Sequence, residues 1–353
     1  MHVSRALLTS KSTPSQPLRA GAWGMTLQEL AERGLSSAQF TALHRPWLWD
    51  EAGPVLSRAA RELLSECGLT LLPIRAHQRS VDGSTKLVFD VGDGAVECVH
   101  MPRSVRTERV TLCISSQVGC AMGCTFCATA SMGFRRHLSA GEIVVQVLSA
   151  LRALGPRHPG QLTLVFMGMG EPLHNAAAVK RAIELLCEPE GLGLSARRIT
   201  VSTSGLVPEI AELGTWTPRP LLAISLNATT DAQRQRLMPI ARRYSVTELC
   251  AALASYPLRA RERITVEYVL LAGVNDSLDD ARRLAELTAG FPNQINLIPF
   301  NEHAGSEFRA PSEDAVNAFA RAVLQRRVCV LSVRRSRGRD VAAACGQLVQ
   351  LKL

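Results

Sequence analysis

Past residue 110, short apolar runs alternate with longer helix-period stretches, and this alternation is the strongest constraint on the fold. Strand-like runs lie at 110–115, 162–167, 199–203, 221–226, 264–271 and 295–299. Stretches with apolar spacing near 3.6 lie between them at 140–153, 176–187, 246–256 and 278–289. Strands joined through helices pair in parallel, with right-handed crossovers. Six such repeats predict an α/β fold in which a parallel sheet curls into a partial (βα)6 TIM-like barrel. A helix over 312–326 and a seventh strand over 328–333 follow. Aromatic residues make up only 5% of the chain, so its core must be largely aliphatic.

Before the barrel, the pattern differs. Residues 1–20 read as a disordered, Ser/Thr-rich tail without the apolar stretch of a secretory signal. Residues 21–105 read as a small α/β accessory domain. It has helical spacing over 25–30 and 55–67, then strands at 87–89 and 96–101 about a Gly92-Asp93-Gly94 turn. The core then occupies 106–328, and 329–353 forms a C-terminal extension. No run of 18 apolar residues is present, so no membrane span and a cytoplasmic location are expected. The formal net charge of +9 favours a polyanionic partner such as nucleic acid.

Ten cysteines are present, and three are clustered in Val118-Gly-Cys-Ala-Met-Gly-Cys-Thr-Phe-Cys127. The spacing of Cys120, Cys124 and Cys127 is C-x3-C-x2-C, in the loop after the first barrel strand. Three thiolates can ligate three irons of a cubane cluster and leave the fourth open to a ligand. A zinc site would want a fourth Cys or His close by, and His137 is poorly spaced for it. Polar, glycine-rich segments close the strands at 168–172, 202–205, 225–227 and 299–301. Each alone reads as an ordinary strand-to-helix turn. Four on the C-terminal rim of one barrel point to a ligand site.

The cysteine spacing within a partial barrel resembles the radical S-adenosylmethionine (SAM) superfamily. There the open iron chelates SAM, and one electron cleaves it to methionine and a 5′-deoxyadenosyl radical. The segment 168–171 looks like the superfamily's turn that meets the SAM amino group. Longer strings narrow the match: Val110-Thr-Leu-Cys-Ile-Ser-Ser-Gln-Val-Gly-Cys120, Phe166-Met-Gly-Met-Gly-Glu-Pro172, Thr200-Val-Ser-Thr-Ser-Gly205, Ile295-Asn-Leu-Ile-Pro-Phe-Asn301 and Ala343-Ala-Cys-Gly-Gln-Leu348. In order and spacing, from about residue 85 to the end, they resemble the RlmN/Cfr family of RNA adenine methyltransferases.

That resemblance implies a [4Fe-4S] cluster on Cys120, Cys124 and Cys127. It implies SAM contacts at Gly170, Glu171, Ser202, Ser225, Leu226, Asn227 and Asn301, although position 227 is often His in the family. Cys345 would accept a methyl group from one SAM, a second SAM would supply the radical, and Cys113 would form a disulfide with Cys345 to release the methylated base. Glu97 matches the family's proton acceptor. Its spacing to Cys113 is about three residues longer than usual, which keeps Glu108 as the alternative. The ring carbons of adenine are electron-poor, so radical addition succeeds where polar methyl transfer fails. The implied substrate is C2 of an adenine in 23S rRNA, with tRNA as a second target. The base would be splayed out of a loop or single strand. The basic run Arg334-Arg-Ser-Arg-Gly-Arg339 would grip phosphates. A flavodoxin- or ferredoxin-like electron donor and a monomeric state are expected. A Phe-Arg-Ala-x-Gln motif frequent in the family's N-terminal module is absent. Competing readings are C8 methylation as in the antibiotic-resistance branch, a radical SAM enzyme acting on a protein or metabolite, and an iron–sulfur redox sensor that binds RNA.

Overall fold

The computed structural model describes residues 21–50, 53–104, 107–155, 161–335 and 337–348. The expected tail over 1–20 lies outside them. The chain opens with helices α1 (Leu27–Glu32), α2 (Ser37–His44) and α3 (Arg58–Ser65). Strands β1 (Ile74–Arg79), β2 (Thr85–Asp90), β3 (Ala95–Ser104) and β4 (Thr107–Cys113) follow. Next come the short hairpin strands β5 (Gln117–Gly119) and β6 (Phe134–His137), with α4 (Ala128–Ser131) between them, and then α5 (Ala140–Leu154).

The remaining elements alternate: β7 (Leu162–Phe166), α6 (Ala176–Cys187), β8 (Ile199–Thr203), α7 (Val207–Leu213), β9 (Leu221–Ser225), α8 (Asp231–Leu237), α9 (Val246–Ala254), β10 (Ile264–Leu270), α10 (Leu278–Leu287), β11 (Asn293–Pro299), α11 (Glu313–Arg326) and β12 (Val330–Val333). The short helices α7 and α8 are additions to those expected.

Ten strands form one mixed sheet in the order β1-β2-β3-β4-β7-β8-β9-β10-β11-β12. From β4 to β12 every neighbouring pair is parallel. The first three strands join antiparallel, so the hairpins of the N-terminal region extend the barrel wall itself. The repeating βα units start their helices with local signals. Ser139 with Glu142, Ser245 with Glu248 and Ser277 with Asp280 each form a reciprocal capping box, which satisfies backbone N–H groups of the first turn. Helix α5 is buried along Gly141–Leu151, because the N-terminal turns at Ala22–Gly24 and Pro46–Leu48 cover the face that the barrel leaves open.

Candidate active site

The three clustered cysteines sit between β5 and α4, on a loop closed by the β5–β6 hairpin. The Cys120 backbone N–H donates to the Gly133 carbonyl at 3.0 Å, and the Cys127 N–H to the Cys124 carbonyl at 3.1 Å. Gly119 has φ +77°, and a Cβ there would lie 1.9 Å from the Gly133 oxygen. Only glycine lets the hairpin close this tightly. Burial pushes the Cys120 thiol up to about 12 and holds the Cys124 thiol well above its ordinary value. Metal binding is the ordinary way to displace such protons. The three thiols line one cavity wall, and each can take a different iron of a cubane cluster.

Cys120, Cys124 and Cys127 line a cavity of about 880 Å³ together with Gly170, Glu171, Ser202, Ser225, Asn227 and Cys345. Nine of the expected residues therefore share one space, at the C-terminal ends of the parallel strands. The Glu171 carboxylate is buried and accepts from the Ser204 and Leu173 N–H groups, at 2.7 and 3.1 Å. It ties the turn after β7 to the turn after β8. Asn227 adopts φ +55°, a left-handed conformation that Asn tolerates, and its Oδ1 accepts from the Val269 N–H at 2.8 Å. Two expected contacts do not line this cavity. Leu226 is packed in the core. Asn301 is also buried, and it donates through Nδ2 to the Cys345 carbonyl at 3.0 Å.

A second cavity, of about 940 Å³, is lined by Cys113, Val99, Met101, Arg334, Arg335, Arg337 and again Cys345. Cys345, Met167 and Ile298 are common to both cavities. Cys345 is thus exposed, but to the interior junction of two chambers. Surrounding protein and the nearby Glu267 carboxylate raise its thiol above the ordinary value. Cys113 is buried at the end of β4 and is raised strongly by desolvation, with the charge of Cys345 adding to the effect. All ten cysteines are free thiols, so the Cys113–Cys345 disulfide expected from the family resemblance is not formed here. The two cysteines nevertheless face one cavity.

Glu97 is fully buried on β3, with its Oε1 3.6 Å from Lys86 Nζ. The register pairs Val99 with both Lys86 and Cys113, so Lys86, Glu97, Val99 and Cys113 share one sheet face. Glu97 lines neither cavity. Glu97 and Cys113 lie on adjacent antiparallel strands, β3 (Ala95–Ser104) and β4 (Thr107–Cys113). The side chain of Glu108 lies outside the described residues.

Two residues at the site escaped the sequence reading. Glu267 lines the first cavity beside Cys345, as the single acid in the apolar strand β10. That isolation was its only signal. Arg234 on α8 is completely buried and donates to the carbonyls of Leu226 and Ser204, which holds the ends of β8 and β9 together. Desolvation lowers it to about 10, so it stays charged.

The Radical SAM superfamily model matches residues 114–285, which contain the cysteine loop and most of the rim. A dual-specificity RNA methyltransferase RlmN from Anaeromyxobacter sp. (strain Fw109-5) is 50% identical over 332 residues, covering 90% of this chain and 86% of its own. The chain belongs to the RlmN family of radical SAM methyltransferases. The RlmN of Sorangium cellulosum (strain So ce56) is 44% identical and covers 97% of each chain. The crystal structure of a radical SAM methyltransferase from Sphaerobacter thermophilus superposes with a TM-score of 0.85 at 41% identity, covering 92% of this chain and 98% of that one. Family membership implies a [4Fe-4S] cluster and SAM as cofactors. No helix among the described residues is long and apolar enough to cross a membrane.

Proposed function

We propose that this enzyme methylates C2 of an adenine in 23S rRNA and in tRNA, with the methyl group carried on Cys345. The observation that carries the reading is the position of Cys345 at the junction of two cavities. One has the three clustered cysteines on its wall, and the other has Cys113 and three arginines. A carrier must meet its donor on one side and its acceptor on the other. When bound on Cys120, Cys124 and Cys127, the cluster supplies the electron that splits SAM and so opens radical chemistry at a C–H bond.

The chain's own residues do the rest. Gly170, Glu171, Ser202, Ser225 and Asn227 hold SAM in the first cavity, while Leu226 and Asn301 support that wall from behind. Cys345 accepts the methyl group and presents it to the second cavity. Glu97, balanced by Lys86, takes up the ring proton. Cys113 then closes on Cys345 as the methylated base departs. Residues 334–339 hold RNA phosphates. Residues 21–105 act as an accessory RNA-binding domain, 106–328 as the radical core, and 329–353 as the extension that carries the methyl group. The enzyme works in the cytoplasm as a monomer and takes its electron from a flavodoxin- or ferredoxin-type carrier.

Mass spectrometry of rRNA and tRNA from cells lacking the gene tests this. Loss of 2-methyladenosine from both, restored by the intact gene but not by Cys345→Ala, is the expected result. Loss of 8-methyladenosine would move the reading to the other ring carbon. Unchanged RNA would return it to a radical enzyme with a different substrate.

A further inference from the structure

Methylation of Cys345 requires a proton acceptor that none of these roles provides. A thiol is a weak nucleophile and its thiolate a strong one. Burial and a neighbouring carboxylate keep the Cys345 thiol protonated at neutral pH. Some group on the donor side must therefore take the proton. Glu171 is engaged with two backbone N–H groups. Glu97 lies outside the first cavity.

Glu267 remains. It stands in the middle of β10, next to Ser225 of β9 and Asn296 of β11 in the sheet register. It is nearly buried, and it lines the first cavity together with Cys345. Its Oε2 accepts a long hydrogen bond of 3.4 Å from Ser202 Oγ, and its Oε1 is 3.8 Å from Arg334 Nη1. Neither contact is tight enough to occupy the carboxylate. The charged or titratable groups around it are Arg334, Cys345 and Cys113. Burial raises the Glu267 carboxyl above its ordinary value and Arg334 pulls it back, which suits a base more than a fixed counter-charge.

We infer that Glu267 is the general base that takes the proton from Cys345 Sγ as the methyl group passes from SAM to sulfur. The S–H bond breaks and its proton goes to a Glu267 carboxylate oxygen. The freed sulfur pair forms the S–CH3 bond, the methyl–sulfonium bond of SAM breaks, and S-adenosylhomocysteine leaves. Nothing is oxidised or reduced. Arg334 faces the second cavity, where its charge lowers the cost of the thiolate. The inference rests on Cys345 as the methyl carrier.

The test uses the full chain, reconstituted with its cluster under anaerobic conditions. It starts from protein whose Cys345 is unmethylated by mass. Methyl-deuterated SAM is added without reductant, so only the polar transfer proceeds, and the label on the Cys345 peptide is followed by mass spectrometry. Glu267→Gln is expected to label about 100-fold more slowly at pH 7. Its rate should recover about tenfold per pH unit as solution hydroxide replaces the missing base. SAM binding by equilibrium dialysis should be unchanged, and Glu267→Asp should regain part of the rate. Labelling of Glu267→Gln at the wild-type rate overturns the inference, as does a slow rate that ignores pH. Loss of SAM binding in both variants would assign Glu267 to holding the cofactor and also overturn it. No label in the wild-type protein would overturn the methyl-carrier reading itself.

Discussion

Gly119 shows how one residue can govern the metal loop. Its positive φ and the oxygen 1.9 Å from any added Cβ leave no room for a side chain. Gly119→Ala must push the β5–β6 hairpin apart and carry Cys120 with it. The expected cost is about 1–3 kcal/mol, seen as a lower urea midpoint, together with a loss of most of the iron retained on reconstitution. Full iron content in the variant would count against this account of the hairpin. His44 makes a different demand. It is buried between Phe40 and Trp23, and desolvation lowers its imidazole from 6.5 to about 4. The folded protein holds it neutral while the unfolded chain protonates near 6.5, so stability is lost as pH falls from 6.5 towards 4. At pH 5 the loss from this residue is about 2 kcal/mol. His44→Phe should keep the ring packing and shrink the gap between unfolding midpoints at pH 7.5 and pH 5. An equal gap in both proteins would assign the acid sensitivity elsewhere. Residues of both kinds differ in how far the sequence reveals them. The cysteine triplet is legible because cluster ligation fixes residue type and spacing together. Glu267 is not, since its role comes from which wall of a cavity its strand faces.

Among the elements, the C-terminal segment depends most on distant partners. The Gly338 N–H donates to Asp82 Oδ2 at 2.8 Å, and Ser80 Oγ to Asp340 Oδ1 at 2.6 Å. Lys86 Nζ donates to the Ala342 carbonyl, Asn301 to that of Cys345, and the Ala128 N–H to that of Gly346. Thr129 Oγ1 donates to the Leu348 carbonyl at 2.7 Å. A segment with little regular structure is thereby pinned from the β1–β2 turn at one end to the cysteine loop at the other. Asp340→Ala removes the Ser80 tie and the bond that Asp340 Oδ2 accepts from the Val81 N–H at 3.1 Å, and should loosen Cys345 without touching SAM. A fall in turnover of about tenfold is expected, with SAM affinity within twofold by equilibrium dialysis. Equal turnover would mean that the remaining ties suffice. Elements with strong periodicity were legible to within a few residues, because buried parallel strands such as β10 are apolar on both faces. Strand β1 was not, since Ile-Arg-Ala-His-Gln-Arg at an exposed sheet edge carries no apolar face to read. The short helices α7 and α8 were missed because seven residues give too few turns to establish a period.

At the scale of the whole molecule, three cavities run in series through the barrel. The first and second share Cys345. The second and third share Met101, Met167, Arg334 and Arg337. The third, with about 1920 Å³ of empty space, adds Arg197 and Arg198 to a wall of Thr and Asn side chains. TIM barrels usually fill this bore with packed aliphatic side chains. Here it is open and carries cations, which matches the net charge of +9 and a nucleic-acid substrate reaching Cys345 from the side away from the cluster. Each phosphate neutralised by such a cation adds about 0.7 to the salt dependence of single-stranded binding. Replacing Arg197 and Arg198 together by Ala should flatten the plot of log affinity against log salt by about 1.4. Fluorescence anisotropy with an adenine-bearing RNA stem-loop between 50 and 200 mM KCl (about the range over which such slopes are read) measures it. SAM binding should be unaffected, because neither arginine lines the first cavity. An unchanged slope would mean that RNA does not use this bore, and would shift its approach to the surface around the N-terminal helices.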